Sequence, residues 1–545
     1  MFRAPRNILR LLVIARTLAR HGALAPFKDV MAGAGLAPAV LFLAELFSRT
    51  PVAQATALRP GERLANALTE LGPAFIKLGQ MLSTRSDLLG EQVASDLSRL
   101  QDRLAPFPAR DARATIETEL GQPIAALFDG FDDAPISAAS IAQVHYATVR
   151  ETPEEAADAD AAPGGGTDDE EAAAPEPMLR EVAVKVLRPG IEAAFARDID
   201  LLFWIAEWVE TAQPRLRRLK PVEVVATFAA IVRTEMDLRL EAAAASELAE
   251  NFADDPTYRV PAIDWRRTAR RVMTQARLTG IPMDDREAMR AAGLDIDEVL
   301  GRAAAIFFRQ VFRDGYFHGD QHPGNMFVDA DGNIGAVDFG IMGRLDRKTR
   351  YYLADMLLAF LERDYRRIAE VHFDAGYVPA HHSLDDFAQA CRSIGEPIFG
   401  RPLHEISFAR LLGQLFRITE QFEMETQPQL LLLQKNMLMA EGVSRRLNPR
   451  LNIWVLAQPL IEDWMRENRG PEARLRDLGA ELGRVAARLP TLLSDLEKTV
   501  AMAADGGLKL HPDTIAAFAK GNRGRSHIWA LWAAVAILAL AVLLG

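Results

Sequence analysis

The chain has 545 residues, of which 49% are hydrophobic, enough for a large core and more than one structural unit. Its net charge of −11 does not favour nucleic acid as a partner. Cys391 is the one cysteine, so no intrachain disulfide can form, which is compatible with a reducing compartment.

Residues 1–50 form a basic, amphipathic N-terminal region. Arg3, Arg6, Arg10, Arg16, Arg20 and His21 interleave with Ile8, Leu9, Leu11, Leu12, Val13, Ile14 and Leu18. The uncharged run at 11–15 is too short for a signal-peptide core. Such a segment either lies on an anionic membrane surface or docks on the protein as a surface helix. Residues 34–47 are apolar, but Glu45 interrupts them and they are not read as a span.

The region 51–115 is expected to be helical. Leu64, Leu68, Leu71, Phe75, Leu78 and Leu82 recur at steps of three or four, and Pro73 either kinks this run or separates two helices. Within it, Lys77 and Gln80 share a helix face. Gly79 between them costs helix stability, which points to a close backbone approach. A surface lysine and glutamine would be the plain alternative. Residues 112–130 give another helix, broken at Gly121-Gln122-Pro123.

Strand signals follow at 140–149 and 182–187. The first is entered through Ile136-Ser137-Ala138-Ala139-Ser140-Ile141-Ala142-Gln143-Val144, a loop of small residues where a kinase would carry its glycine-rich phosphate loop. Ala resists the positive φ that Gly accepts, so this loop should be the stiffer one. Between the strands, residues 151–176 hold ten Asp or Glu and no Lys or Arg. That segment cannot bury enough apolar surface to order itself and is read as a disordered acidic insertion, 151–180. In the second strand Val182, Val184 and Val186 share one face, with Ala183, Lys185 and Leu187 on the other. A lysine in so apolar a strand is costly unless an anion meets it.

Residues 191–250 are helical by pattern. Arg233-Thr234-Glu235-Met236-Asp237-Leu238-Arg239-Leu240-Glu241 reads as a charged helix with Glu235 and Arg239 four apart; one or more of its acids is expected to meet Lys185 or Lys77. Short strands are expected from Val260 to Leu278. From 284 onward the chain reads as mostly helical.

The exception is the most informative stretch, residues 318–343. Phosphoryl transfer needs a carboxylate near the acceptor, with an amide oxygen and a second carboxylate to hold Mg2+ against nucleotide phosphates. Asp320, Asn325 five residues later, and Asp338 in Asp338-Phe339-Gly340 supply all three. Asp331-Gly332 predicts a hairpin turn between two apolar runs. If Val328 pairs with Ile334, Asn325 and Asp338 converge at its open end. His318 and His322 have helical zinc-site spacing, but Gly319, Pro323 and Gly324 argue against a helix there.

The C-terminus, 528–545, is eighteen residues without a charge. At 1.5 Å per residue it spans about 27 Å, near the lower limit for a membrane helix. Trp529 and Trp532 suit an interface, and Arg523 and Arg525 just before it place the preceding chain on the cytoplasmic side.

Together these motifs closely resemble the UbiB/ADCK family of atypical, protein-kinase-like proteins. The resemblance runs from about residue 60 to 450, and five signals stand in the family's order. They are Lys77-x-Gly79-Gln80, the Ala-rich loop at 136–144, Val182-Ala183-Val184-Lys185, Glu235-x-Asp237, and His318-Gly319-Asp320 to Asn325 with Asp338-Phe339-Gly340. The resemblance implies an α+β, two-lobed kinase-like fold with an N-terminal helical extension and, here, a C-terminal transmembrane helix. Its parts would be the extension at 51–115, an N-lobe at 116–278, a helical C-lobe at 279–505, a linker at 506–527 and the span at 528–545.

The resemblance further implies ATP and Mg2+ as cofactors. Lys185 would contact the phosphates, paired with Glu241; the loop from Ile136 to Val144 would cover them. Asn325 and Asp338 would bind Mg2+, and Asp320 would be the catalytic acid/base. Lys77, Gln80, Glu235 and Asp237 would belong to an extension covering the protein-substrate cleft, which favours ATPase or small-molecule phosphorylation over protein phosphorylation. The family supports ubiquinone biosynthesis, so membrane lipid, quinone intermediates and their enzymes are the expected partners, at the cell inner membrane. Three departures stand out: one clear hydrophobic span instead of two, the acidic insertion, and Met273-Thr274-Gln275-Ala276, which lacks the acid expected near the end of an adenine hinge. Two other functions fit parts of the pattern. One is a small-molecule phosphotransferase of aminoglycoside-kinase type, and the other a nucleotide-binding scaffold for quinone-biosynthesis enzymes.

Overall fold

The computed structural model describes residues 3–23, 58–83, 91–97, 100, 104–151, 178–212, 220–398, 418–419, 421–424, 428–449 and 453–469. Nearly all lie in one compact unit, Met1–Trp464; of the second, Met465–Gly545, only the end of one helix is described. The acidic stretch at 152–177, the helical patterns at 407–417 and 474–502, and the expected span at 528–545 lie outside the described residues. Among the described residues no helix is long and apolar enough to cross a membrane.

A five-stranded antiparallel sheet is built around the two strands that the alternation predicts. Strands β1 (Gly130–Phe131), β3 (Ala142–Glu151), β4 (Met178–Leu187) and β6 (Val272–Ala276) lie in the order β1-β3-β4-β6, and β2 (Ser137–Ala138) flanks β3. Val182, Val184 and Val186 are fully buried on one face against Ala112 and Ile116 of the helix Ala109–Leu120. That helix ends at Gly121, whose φ of 69° closes it at the expected break. On the opposite face Lys185 stands across from Val144 and Met273, so these three share one surface.

That second face rests on a helical layer. It comprises α1 (Arg3–Arg20), α2 (Pro60–Leu71), α3 (Pro73–Ser83), α4 (Glu91–Leu97), α5 (Ile191–Ala212) and α6 (Pro221–Glu235). Leu64, Leu68, Phe75 and Ile76 pack with Phe195 and Leu201 of α5, Phe228 and Val232 of α6, and the sheet residues Ile141, Leu187 and Met273. The helical extension therefore includes two helices inserted between Lys185 and Glu241, beyond the 51–115 segment read from periodicity. Pro73 opens α3 directly after Gly72, at φ 106°, and so separates two helices.

Helix α1 docks through its polar side. Arg10 forms a two-pronged ion pair with Asp198 (2.8 and 3.0 Å), Arg6 reaches Asp200 (2.8 Å) and Arg20 reaches Glu70 (2.8 Å). Asn7, Ile14 and Thr17 are buried beneath it. Ile8, Leu9, Leu11, Leu12 and Val13 are left exposed, Leu9 by 67%.

The charged segment 233–241 is not one helix, which corrects the expected pairing of Glu235 with Arg239. Asp237 accepts a hydrogen bond from Arg239 N and starts a new helix, α7 (Leu238–Asn251). Its carboxylate also binds the Arg239 guanidinium (2.6 and 2.8 Å).

The rest of the compact unit is mostly helical, with two small sheets that sequence reading divides only in part. Strands β5 (Tyr258–Arg259), β7 (Ile281–Pro282), β9 (Met326–Val328) and β10 (Ile334–Ala336) form one sheet. Strands β8 (Tyr316–His318) and β11 (Met342–Arg344) form the other. Helices α8 (Ile296–Phe308), α9 (Arg347–Leu361), α10 (Tyr365–Asp374), α11 (Leu384–Ile398), α12 (Pro428–Leu447) and α13 (Ile453–Arg469) complete it.

Candidate active site

The hairpin pairs Ile334 with Val328, as the turn chemistry predicts. Asp329 Oδ1 accepts from the Asp331 and Asn333 amides, which fixes the turn (2.9 Å each). Val337 N donates to Asn325 O (2.9 Å), so the ladder runs out beside Asn325 with Asp338 next in line. Asp338 has a φ of 66°, in the left-handed region that non-glycine residues seldom occupy.

Lys185 meets two acids from different parts of the chain. Its Nζ donates to Glu241 Oε1 (2.6 Å) and Oε2 (2.9 Å) on α7, and to Asp338 Oδ1 (2.8 Å). Only 16% of the Lys185 side chain and 8% of the Glu241 side chain are exposed. Burial alone would pull the lysine pKa down; Asp338 and Glu241 more than offset it and hold the ammonium above its ordinary range. The Lys185 charge pulls Asp338 below the usual carboxylate range. Burial pushes Glu241 up despite its contact with the lysine. One cation is shared by two carboxylates, and the deeper one bears the cost.

The Asp320 loop is tied down atom by atom. His318 Nδ1 accepts from Asp320 N (3.0 Å) while Nε2 donates to Val337 O (3.1 Å), which fixes the neutral tautomer. Burial pushes its pKa down, in keeping with that form. Asn325 Nδ2 donates to Asp320 O (3.1 Å), which turns the amide oxygen the other way. That oxygen and the Asp338 carboxylate are the hard donors that Mg2+ prefers.

In the small-residue loop, Ala139 N donates to Ala142 O (2.7 Å), closing a tight turn between β2 and β3. Gln143 is buried, and its side chain bonds both Phe107 N (3.0 Å) and Phe107 O (3.2 Å). It anchors the loop and faces away from Lys185. Ile136 is exposed, whereas Ile141 and Ala142 are in the core. Ser140 Oγ is buried without a hydrogen-bond partner among the described residues.

Lys77 pairs with Glu235 at 3.0 Å, with 13% and 11% of their side chains exposed. After Lys185, its charge also helps to lower the Asp338 pKa, and α3 packs on the Lys185 face of the sheet. Gln80 is half-buried on the same helix. A Cβ at Gly79 would stand 2.6 Å from Leu100 and 2.7 Å from Leu68, so the close approach is to neighbouring side chains. Of the acids expected near Lys77, Glu235 is its partner, whereas Asp237 is engaged with Arg239.

Three site residues escape sequence reading. Lys435 of α12 donates to Asp320 Oδ1 (2.8 Å). Its neighbour Asn436, fully buried, donates to His318 O (2.6 Å) and accepts from Gln321 N (3.3 Å). Gln310, in the π-helical segment Arg309–Asp314, accepts from His318 N (3.0 Å) and Gln321 Nε2 (3.2 Å). Lys435 and Asn436 lie 115 to 118 residues from the atoms they hold and carry no local motif.

The loop also leaves no room at Gly319. A Cβ there would lie 2.8 Å from Ile341 and Leu432 and 2.9 Å from Ile341 O. Gly319→Ala should therefore lower stability by about 1–3 kcal/mol and shift Asp320. Thermal unfolding and ATP turnover measure this; a wild-type profile in both would mean that the contact yields freely.

Comparison with known proteins gives the family. Residues 99–157 and 174–372 match the ABC1 atypical kinase-like domain, and residues 391–452 match the UbiB helical domain. The probable protein kinase UbiB of Marinobacter nauticus is 44% identical over 425 residues, covering 77% of this chain and 73% of that protein. The probable protein kinase UbiB of Xanthomonas euvesicatoria pv. vesicatoria is 42% identical over 458 residues, covering 83% and 78%. Among solved structures, the Rv3197–erythromycin complex from Mycobacterium tuberculosis covers 73% of this chain and 95% of its own, at 24% identity and a TM-score of 0.46.

Proposed function

The chain belongs to the UbiB family of ABC1 atypical kinase-like proteins, and we propose that it turns over Mg2+-ATP as an atypical kinase or ATPase supporting ubiquinone biosynthesis at the membrane. The observation that carries this is the Lys185–Glu241–Asp338 charge cluster with Asp320 and Asn325 beside it. Lys185, oriented by Glu241, neutralises nucleotide phosphates. Asn325 and Asp338 would hold Mg2+ through their side-chain oxygens, and the ion would supply positive charge against the nucleotide phosphates. Asp320 accepts the proton of the attacking hydroxyl or orients a water, and Lys435 keeps its carboxylate in place.

The acceptor is inferred from the extension. Helix α3 packs on the Lys185 face of the sheet, and the Lys77 charge acts on Asp338. A helix so placed restricts a protein substrate more than a water or a small molecule. Membrane attachment is inferred from the apolar row on α1 and the uncharged C-terminal run. Exposed Ile8, Leu9 and Leu12, flanked by arginines, suit an anionic bilayer.

The test is ATP turnover by the full chain, alone and with anionic vesicles and a small phenol of quinone-precursor type. A Mg2+-dependent rate that rises severalfold with vesicles and phenol, and is lost in Asp320→Asn, is the expected result. Leu9→Glu/Leu12→Glu should weaken vesicle flotation without changing the rate in solution. Nucleotide binding with no turnover under any condition would leave the scaffold reading in its place.

A further inference from the structure

A second cluster of metal-ligating groups stands outside the nucleotide site. His381 and His382 lie in the turn between α10 and α11, and Glu423 follows a helical turn that ends at Gln421. Glu423 Oε2 is 3.3 Å from His381 Nε2 and 3.9 Å from His382 Nε2, and the three ligand atoms lie within 4.8 Å of one another. Ligands about 2.0–2.1 Å from a tetrahedral Zn2+ stand about 3.3 Å apart. One edge of that tetrahedron is already formed, and the others close with side-chain movements of an ångström or so.

Three observations speak for a built site over a chance surface ion pair. First, Glu423 has a φ of 48°. Phe422 N donates to Ile418 O (3.0 Å) and Met424 N to Thr419 O (2.9 Å), so Glu423 occupies the left-handed position after a helix, where glycine is the usual residue. A strained side chain kept at such a position points to use of that side chain. Second, His382 Nε2 is buried and has no hydrogen-bond partner among the described residues. Third, the His382 ring is held: it packs edge-on to Phe422 at 5.3 Å, with the His381 ring 4.2 Å away. Phe422 is itself anchored in a cluster with Val378 and Phe387.

We propose that His381, His382 and Glu423 bind a borderline divalent cation of the zinc class. Two imidazoles and one carboxylate suit Zn2+, whereas Mg2+ prefers oxygen donors alone. A cavity of roughly 490 Å3 beside His382, with Asp386 and Gln389 in its wall, admits water to the fourth position. The ion clips the 418–424 segment to the start of α11, two stretches about forty residues apart in sequence.

The experiment uses the full chain in an Asp338→Asn background, so that the nucleotide-site carboxylate takes no part. Metal-stripped protein is titrated with Zn2+ against a chromophoric competitor, and with Co2+ to read tetrahedral coordination by its visible bands. One equivalent of Zn2+ should bind, raise the unfolding midpoint, and be lost in His381→Ala/His382→Ala. Glu423→Gly separates metal binding from folding. Glycine relieves the left-handed strain, so the metal-free midpoint should hold or rise, while Zn2+ affinity falls at least tenfold. Zn2+ affinity equal to the parent in both variants, or no uptake by the parent, overturns the proposal. None of these readouts depends on ATP turnover.

Discussion

Asp338→Asn is expected to remain folded and to lose the Mg2+-dependent thermal shift with ATP; Lys185→Met is expected to bind ATP at least tenfold more weakly. Each removes a charge that nothing nearby replaces. One charge-assisted hydrogen bond is worth roughly 1.5–3 kcal/mol, which is about a ten- to hundredfold change in affinity. The two variants differ in their effect on the protein alone. Asp338→Asn relieves like-charge repulsion on Glu241. Lys185→Met leaves Glu241 buried without its cation.

The pH dependence separates them further. Glu241 has a folded pKa above its unfolded value, so its contribution to stability is full below the unfolded pKa and is lost as pH rises through the folded one. Asp338 is the opposite case: its contribution is present above the unfolded pKa and is lost as pH falls through the depressed folded one. Removing Lys185 raises Glu241 further and takes away the stabilisation of Asp338. The Lys185→Met midpoint should therefore fall more steeply than wild type between pH 5.5 and 8. Undiminished Mg2+-ATP shifts in Asp338→Asn would sink the metal assignment. Parallel pH curves for Lys185→Met and wild type would mean that the lysine does not hold these acids in solution.

What was legible in the sequence is what local chemistry decides. Turn residues set the hairpin, and the register Val328 to Ile334 follows. Alternation placed Val182, Val184 and Val186 in the core and left Lys185 on the other face. Pro73 marked either a kink or a boundary, and the structure makes it the start of α3. Distance in the chain hid the rest. Helical periodicity over 191–235 gives the apolar faces of α5 and α6 but not that they join α2 and α3 in one core. A lysine and an asparagine midway along α12 look like any helix polar pair until the fold brings them to Asp320 and His318. The break at Asp237 was readable as an N-cap, but the charged pattern around it suggested a continuous helix. The N-terminal arginines left a membrane surface and a docked helix as alternatives; Asp198, Asp200 and Glu70 of the protein itself are partners for three of them, and the apolar side is left outward.

Replacing Lys77 should have the second large effect, and the structure says how to interpret it. Lys77→Ala would strand Glu235 as an uncompensated charge that is 11% exposed. Breaking such a buried pair costs about 3–5 kcal/mol. A loss of ATP turnover in Lys77→Ala alone would therefore not distinguish an active-site lysine from a structural one. The double variant Lys77→Met/Glu235→Gln removes both charges with little change in volume, and neutral replacement of a buried pair is often tolerated without loss of stability. Its midpoint should return most of the way to wild type. Its nucleotide behaviour should not return, because the Lys77 charge, which helps Lys185 to hold the Asp338 pKa down, is still missing. We expect a severalfold change in Mg2+-ATP affinity or turnover at wild-type-like stability. Gln80→Ala, half-buried on the same helix and uncharged, should change ATP affinity or turnover with a smaller stability cost. If the double variant and Gln80→Ala both match wild type in stability, affinity and rate, α3 braces the sheet and takes no part in the nucleotide cleft. If only the double variant differs, the effect is electrostatic and acts through Asp338.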